Sequence, residues 1–340
     1  MFTTDWYKLV SYGVPAGAQY WLFALFGLAF AIKVPLFPLH TWLPDAHTQA
    51  PTGGSVILAG VLLKMGTYGL LRFLVPFFPN ASAELAMPIA VLAVVGIVYG
   101  ALVAFAQTDV KKLVAYSSVS HLGFVVLGVF AFDVVAVQGA LIQMVNHGIS
   151  TGALFLIIGM MYERRHTRAM ADYGGIAKTV PVLTFFMLFS VFASAGLPGL
   201  NGFVGEFMIL IGSWDSPTVG NPLLVAVATT GVIFAAVYLL WMVYSTFFGE
   251  VTSEANRTMT DLNGREIGLL VPLAALMLLL GFWPAPFLNQ SERAVRSLLE
   301  TSAAKAQAIE AADGEVVVVP VAWPEDVVVA PPVAPAPSHD

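Results

Sequence analysis

The stretch Val180–Trp214 reads VPVLTFFMLFSVFASAGLPGLNGFVGEFMILIGSW, two apolar pieces separated by Gly196-Leu197-Pro198-Gly199-Leu200-Asn201-Gly202. Crossing the hydrocarbon core of a bilayer takes about 20 apolar residues in a helix, and each piece alone falls short of that. Joined, they make one crossing interrupted by residues that break helices. Backbone left unpaired at membrane depth is tolerated only where protein buries it or where it lines a wet cavity. Glu206, eight residues after Pro198, therefore sits where an intramembrane charge marks an ion or proton path.

Seven further apolar runs flank this one: Tyr20–Leu43 (interrupted by Pro35 and Pro38), Ser55–Phe77, Glu84–Ala106, Leu113–Phe132, Val135–Tyr162, Leu223–Phe248 and Ile267–Leu288. The expected fold is all-α and polytopic, with about eight transmembrane helices, two of them broken at mid-membrane. Segment 1–18 is mixed in character and is expected to precede the membrane without acting as a signal peptide. Segment 289–340 is an Ala/Pro/Val-rich tail. Ser291–Ile309 has the makings of a short surface helix, and the tail as a whole is expected to be disordered or loosely attached.

Charge bias tests the joining. With Val180–Trp214 counted once, Lys111, Lys112, Arg164, Arg165, Arg168, Lys178, Arg257 and Arg265 all fall on one side. Lys8, Arg72, Arg293, Arg296 and Lys305 fall on the other. The positive-inside rule makes the first side cytoplasmic and puts the C-terminal tail opposite. Two crossings instead of one would move Arg257 and Arg265 across and blur the bias.

Composition agrees: 58% of residues are hydrophobic, 11% are charged, and mean hydropathy is +0.82. With no cysteine there is neither a disulfide framework nor a thiolate metal or iron–sulfur site. A soluble nucleotide-binding enzyme is excluded, since no glycine-rich phosphate loop follows a strand.

Against this background three charges stand out: Lys33, Lys64 and Glu206, each inside an apolar run. A charge at mid-bilayer costs about 2.5–3.5 kcal/mol on insertion scales. Lys64 has apolar-compatible residues on both sides and cannot easily snorkel. For Lys33 and Glu206 the plainer alternative is a proline kink beside a charge at a helix end. His121 and His147 also lie within runs, with Ser117, Ser118 and Ser120 around the first, and Gln143, Asn146, Ser150 and Thr151 at helical spacing around the second. Histidine exchanges protons near neutral pH, and hydroxyls and amides can hold water between steps. No metal or cofactor site is expected, because the two histidines lie on different helices without a carboxylate cluster.

Several long motifs resemble one family. KVPLFPLHTWLPDAH from Lys33 to His47, and FAQTDVKKLVAYSSVSH from Phe105 to His121, are similar to signatures of the antiporter-like subunits of respiratory NADH:quinone oxidoreductase (complex I). LPGLNGFVGEF from Leu197 to Phe207 and YERRHTR from Tyr162 to Arg168 resemble one branch, whose sisters typically carry lysine where Glu206 stands. The resemblance runs from about Asp5 to Phe248. It implies two inverted five-helix repeats, with residues 19–78 ending the first, residues 84–248 forming the second, and 267–288 a final helix. It also implies a proton relay through Lys33, Lys64, His121, His147 and Glu206, with helix breaks at Pro35 and at Pro198 and Gly199. NADH, FMN, iron–sulfur clusters and quinone are expected on other subunits. Expected partners are further membrane-arm subunits, two of them sister antiporter-like chains, and the lipid bilayer, with no nucleic acid. Multi-subunit sodium/proton antiporters and membrane-bound hydrogenases share the fold and stay open as alternatives, as does a structural fragment that does not pump.

The chain departs from the family in one respect. Members carry about six further helices before the position of Tyr20, one with a glutamate that pairs with the position of Lys33. A truncated or split gene is the expectation, and without that partner Lys33 would face lipid or a gap.

Overall fold

A computed structural model describes residues 4–312. Its principal helices are α1 (Trp6–Ser11), α2 (Ala16–Lys33), α3 (Trp42–Gln49), α4 (Thr52–Phe77), α5 (Pro79–Glu84), α6 (Ala86–Phe105), α7 (Val110–Phe130), α8 (Val134–Arg165), α9 (Pro181–Ser194), α10 (Asn201–Trp214), α11 (Pro222–Phe247), α12 (Gly264–Phe282) and α13 (Ala285–Ala311). Seven of these, α2, α4, α6, α7, α8, α11 and α12, are long and apolar enough to cross a membrane. The chain is a multi-pass integral membrane protein.

Polar residues set the helix starts. Asp109 accepts from the N–H groups of Lys111 and Lys112 at 2.7 and 3.2 Å, and Asp133 accepts from those of Val135 and Ala136 at 2.8 and 3.0 Å. Each satisfies donors that a helix N-terminus leaves orphaned. Helix α8 ends at His166, which takes a left-handed conformation with φ 53°. At 32 residues it is about 48 Å long, so its basic end extends past the apolar layer. Of the crossings, α7 is buried over 94% of its apolar window against 11% for α2 and 17% for α12. Helix α7 is therefore the axis, and the faces of α2 and α12 form the periphery.

Helices α9 and α10, 14 residues each, form the broken crossing. That they count once follows from the loops at their ends. Arg164, at the end of α8, makes a bidentate pair with Glu266 of α12, with Nη1···Oε1 2.9 Å and Nη2···Oε2 2.7 Å. The Asp261 carboxylate caps the start of α9 through the N–H groups of Val182 and Leu183. The end of α8 and the starts of α9 and α12 thus share one side. Since α11 is one crossing, α9 and α10 together make only one more. Arg168–Asp109 at 3.3 Å and Arg165–Asn256 at 2.7 Å bring the other basic loops to the same side.

The first break differs from expectation. Helix α2 ends at Lys33 itself, and residues 34–41 form turns before α3. The tail differs more. Residues 285–311 form a 27-residue helix laid back across the bundle, and Lys305 is buried and donates to the carbonyls of Val10 and Pro76 at 2.8 and 3.0 Å. Asn80 donates to Ala306 O at 3.2 Å. These contacts replace the expected disorder as far as residue 312; the remainder of the tail lies outside the described residues.

Candidate proton-relay site

Lys64 enters the site through an irregularity of its own helix. Residues Leu58–Leu62 form a π turn, in which the Leu63 N–H reaches back to Leu58 O. Ala59 O accepts a short hydrogen bond from Lys64 Nζ. Such turns recur at functional sites because they redirect backbone groups. Lys64 Nζ also lies 2.7 Å from His147 Nδ1 on α8.

From His147 the line continues inward. The His147 and His121 rings are 5.5 Å apart, centre to centre. His121 Nδ1 meets Glu206 Oε1 at 2.6 Å, and Gln143 Nε2 donates to the same oxygen at 2.9 Å. The Tyr238 hydroxyl, from α11, lies 3.2 Å from His121 Nε2. His121, His147 and Glu206 are each no more than 3% exposed, and Tyr238 is fully buried.

Two glycines make this geometry possible. Gly205 lies against Gln143, where a Cβ would come within 2.4 Å of Gln143 Oε1 and 2.7 Å of its Cβ. Only glycine lets α10 approach α8 so closely. Gly196, in the break, has φ +76°, and a Cβ there would lie 3.6 Å from Glu206 Oε2. Glu206 therefore turns one carboxylate oxygen to the histidines and the other to the broken backbone.

Around the break, Asn146 Nδ2 donates to Asn201 O at 2.6 Å and Asn201 Nδ2 to Asn146 O at 3.2 Å. This reciprocal pair ties α8 to the start of α10. His147 Nε2, Gln143 Oε1, Asn146 Oδ1, Asn201 Oδ1 and Ser194 Oγ are buried without a protein hydrogen-bond partner.

Of the residues expected in the relay, Lys64, His147, His121 and Glu206 come together, joined by Gln143 and Asn146. Lys33 does not join them. It is exposed at the end of α2, with its Cβ beside Gly66 of α4, so the expected buried charge is a helix-end charge here. Ser117 and Ser118 return hydrogen bonds to Val114 O at 2.7 and 3.4 Å, and Ser120 donates to Ile97 O on α6 at 2.8 Å. Ser150 is buried on α8. Pro198 and Gly199 occupy the turn between α9 and α10, and Pro35 the turn after α2. Sequence reading missed Tyr238 and assigned no role to Asn201. No cluster of three or more metal-ligating side chains occurs among the described residues.

Residues 3–235 match the family model described as NADH:quinone oxidoreductase/Mrp antiporter, TM. The chain belongs to this family. It is 48% identical over 292 residues to NADH-quinone oxidoreductase subunit M of Pseudomonas aeruginosa, covering 86% of this chain and 56% of that protein. The chain thus spans about half the length of the curated relatives it matches. Among solved structures, a chain of respiratory complex I from Thermus thermophilus with bound NADH superposes with a TM-score of 0.76 at 38% identity, over 86% of this chain and 59% of that one. A chain of the Mrp complex from Dietzia sp. DQ12-45-1b gives a TM-score of 0.70 at 25% identity, over 86% and 61%.

Proposed function

We propose that this chain is a membrane-arm subunit, of the subunit M type, of a proton-translocating NADH:quinone oxidoreductase, and that it moves protons along Lys64, His147, His121 and Glu206. The observation that carries the proposal is the line of side chains from Lys64 to Glu206, which ends on the break in the α9–α10 crossing. Each member binds and releases a proton, and each change of charge acts on its neighbours through a weakly screening interior. Buried polar atoms are met by protein or by ordered water, so the free atoms of Asn146, Asn201 and Ser194 suit a hydrated exit at the break. Lys33 enters the proposed relay on family resemblance, as the outer station on the α2 side.

Electron transfer belongs, in this reading, to other subunits that hold NADH, FMN, iron–sulfur clusters and quinone. Further membrane-arm subunits, including two sister antiporter-like chains, are the proposed partners. The proposed location is the bacterial plasma membrane, with the basic loops cytoplasmic and residues 84–248 forming the second of two inverted repeats. A sodium/proton antiporter subunit is the second reading, favoured by the Mrp likeness; the higher identity to complex I proteins favours the first.

Blue native gels of host membranes, stained for NADH dehydrogenase activity, test membership: the chain should migrate with the active high-mass band. Proton uptake by inverted vesicles tests the relay. Each proton moved against 100 mV requires about 2.3 kcal/mol, and Lys64→Ala should abolish this chain's share of uptake per NADH oxidised. Unchanged uptake would remove Lys64 from the path, and sodium-dependent transport without NADH oxidation would favour the second reading.

A further inference from the structure

We propose that Ile209 is an apolar gate, the side chain that separates the Glu206 end of the line from water on the side opposite the basic loops. The proposal rests on the relay reading above and adds a residue to its release step.

The buried face of α10 is made of small and polar residues, Asn201, Gly202, Gly205, Glu206, Gly212 and Ser213, with one exception among the described residues, Ile209. Glu206, Ile209 and Ser213 fall at i, i+3 and i+7, which is one stripe on a helix. The isoleucine stands between two polar groups. Along the axis Glu206 and Ser213 are about 10.5 Å apart, a gap that a short file of water would bridge and a direct hydrogen bond would not.

Both ends of the stripe suit water. Glu206 reaches the broken backbone, where a Cβ at Gly196 would lie 3.6 Å from its Oε2. Ser213 Oγ is buried without a protein hydrogen-bond partner. A Cβ on the adjacent Gly212 would lie 2.9 Å from Ala136 Cα and strike the Asp133 carboxylate, so this turn of α10 abuts the start of α8. Asp133 is half-buried there, at the end of α8 away from Arg164 and Arg165.

Ile209 closes the gap by filling a socket of small residues. A Cβ at Gly128 of α7 would come within 2.9 Å of Ile209 Cγ1 and 3.2 Å of Ala140 Cβ, and one at Gly139 of α8 within 2.8 Å of Ile209 N. The isoleucine is fully buried and supplies the bulk that its glycine neighbours lack. Apolar constrictions gate by losing their water, since a buried water needs about two to four polar partners. While the socket is filled, Glu206 exchanges protons with His121 and not with the far side. Withdrawal of the isoleucine admits water and lets the carboxyl release.

The test uses inverted membrane vesicles that hold the whole complex, without NADH, under an imposed acid-inside pH gradient. The rate of its collapse, less the rate in vesicles lacking the complex, reads the gate. Ile209→Val and Ile209→Thr share one shape and differ by a hydroxyl. Ile209→Val should stay as tight as the wild type. Ile209→Thr should collapse the gradient at least ~10-fold faster, equivalent to about 1.4 kcal/mol off the barrier, and adding Glu206→Gln should return the wild-type rate. Native-gel migration and NADH oxidation report assembly; should the first pair fail to assemble, Ile209→Ser against Ile209→Ala repeats the comparison at smaller volume. Equal rates within a pair would overturn the gate, and with this chain's share of uptake still abolished by Glu206→Gln alone the relay would stand. A fast collapse that Glu206→Gln does not slow would put the water on another route and overturn the gate as well. Uptake unaffected by Glu206→Gln would overturn the relay itself.

Discussion

Gly205→Ala gives a severe geometric test of the site while leaving every ionisable group in place. The new methyl would meet Gln143 at 2.4 Å from Oε1, 2.7 Å from Cβ and 3.0 Å from Cα. The Oε1 end could swing away, but the Cβ and Cα are fixed to α8, so α10 must retreat by about 1 Å to reach ordinary contact distance. A retreat of that size stretches the 2.6 Å contact of His121 with Glu206 and the 2.9 Å contact of Gln143 beyond hydrogen-bonding range. Overpacking of this kind costs about 1–3 kcal/mol of stability, and each lost bond to a charged group is worth about 1.5–3 kcal/mol. This chain's share of proton uptake per NADH should fall at least ~10-fold, the factor that about 1.4 kcal/mol represents, in complex that still assembles. Gly152→Ala, on α8 across from it, is the control, since its nearest neighbour would be Val56 at 4.0 Å; it should pump normally. If Gly205→Ala pumps as well as Gly152→Ala, close approach of α10 to α8 is not what holds Glu206 in the line, and the geometric argument fails.

Two further outcomes follow from contacts away from the line. Arg164→Met removes the donors that hold Glu266, Thr260 and Asp261. The buried carboxylate left behind should cost about 3–5 kcal/mol, read as a lower temperature at which the chain leaves the complex on native gels; an unchanged temperature would refute the clamp. Burial pushes the Lys305 ammonium down to about 8 from its ordinary 10.5. Between those values the undocked side chain holds more protons than the docked one, so docking of α13 should strengthen as pH rises from 8 to 10.5 and lose that gain as pH falls through 8. The full effect is about 3 kcal/mol. Protease cleavage within α13, corrected for enzyme activity, should slow at pH 10 relative to pH 7, and Lys305→Met should erase the difference.

The crossings were legible because a long apolar run between charged turns has few alternatives, and because basic loops that contact one another in the fold had already declared a common side. Lys64, His147, His121 and Glu206 were legible for a related reason: an ionisable group inside such a run needs a partner, and these four find one another. Ser117 and Ser118 return their protons to a carbonyl three or four residues back, a local bond that spacing alone does not reveal. Tyr238 carried no separate signal, since Tyr244 lies six residues on in the same helix and is 67% exposed while Tyr238 is fully buried. The tail was misjudged because its polar composition suggested a free surface helix, yet Val295, Ser302, Lys305 and Ile309 recur at helical spacing and turn inward. Lysine in such a row reads as exposed until two backbone carbonyls are found to receive it.

In the proposed relay, the amides around the break set what its lining can bond. Carbonyl and carboxylate oxygens only accept, so the partners of Asn146, Asn201 and Gln143 dictate which end of each amide they meet. Every one of those three amide nitrogens is engaged, on Asn201 O, Asn146 O and Glu206 Oε1. The three amide oxygens and the Ser194 hydroxyl are buried without a protein hydrogen-bond partner. The break also collects the C-terminal end of α9 and the N-terminal end of α10, the negative and positive ends of two helix dipoles. The break therefore holds free acceptors together with the N–H groups that open α10, which no side chain caps. A lining that offers both acceptors and donors suits water, which is both. In the proposed relay, these groups and the water they can hold, rather than Glu206 alone, form the inner end of the line.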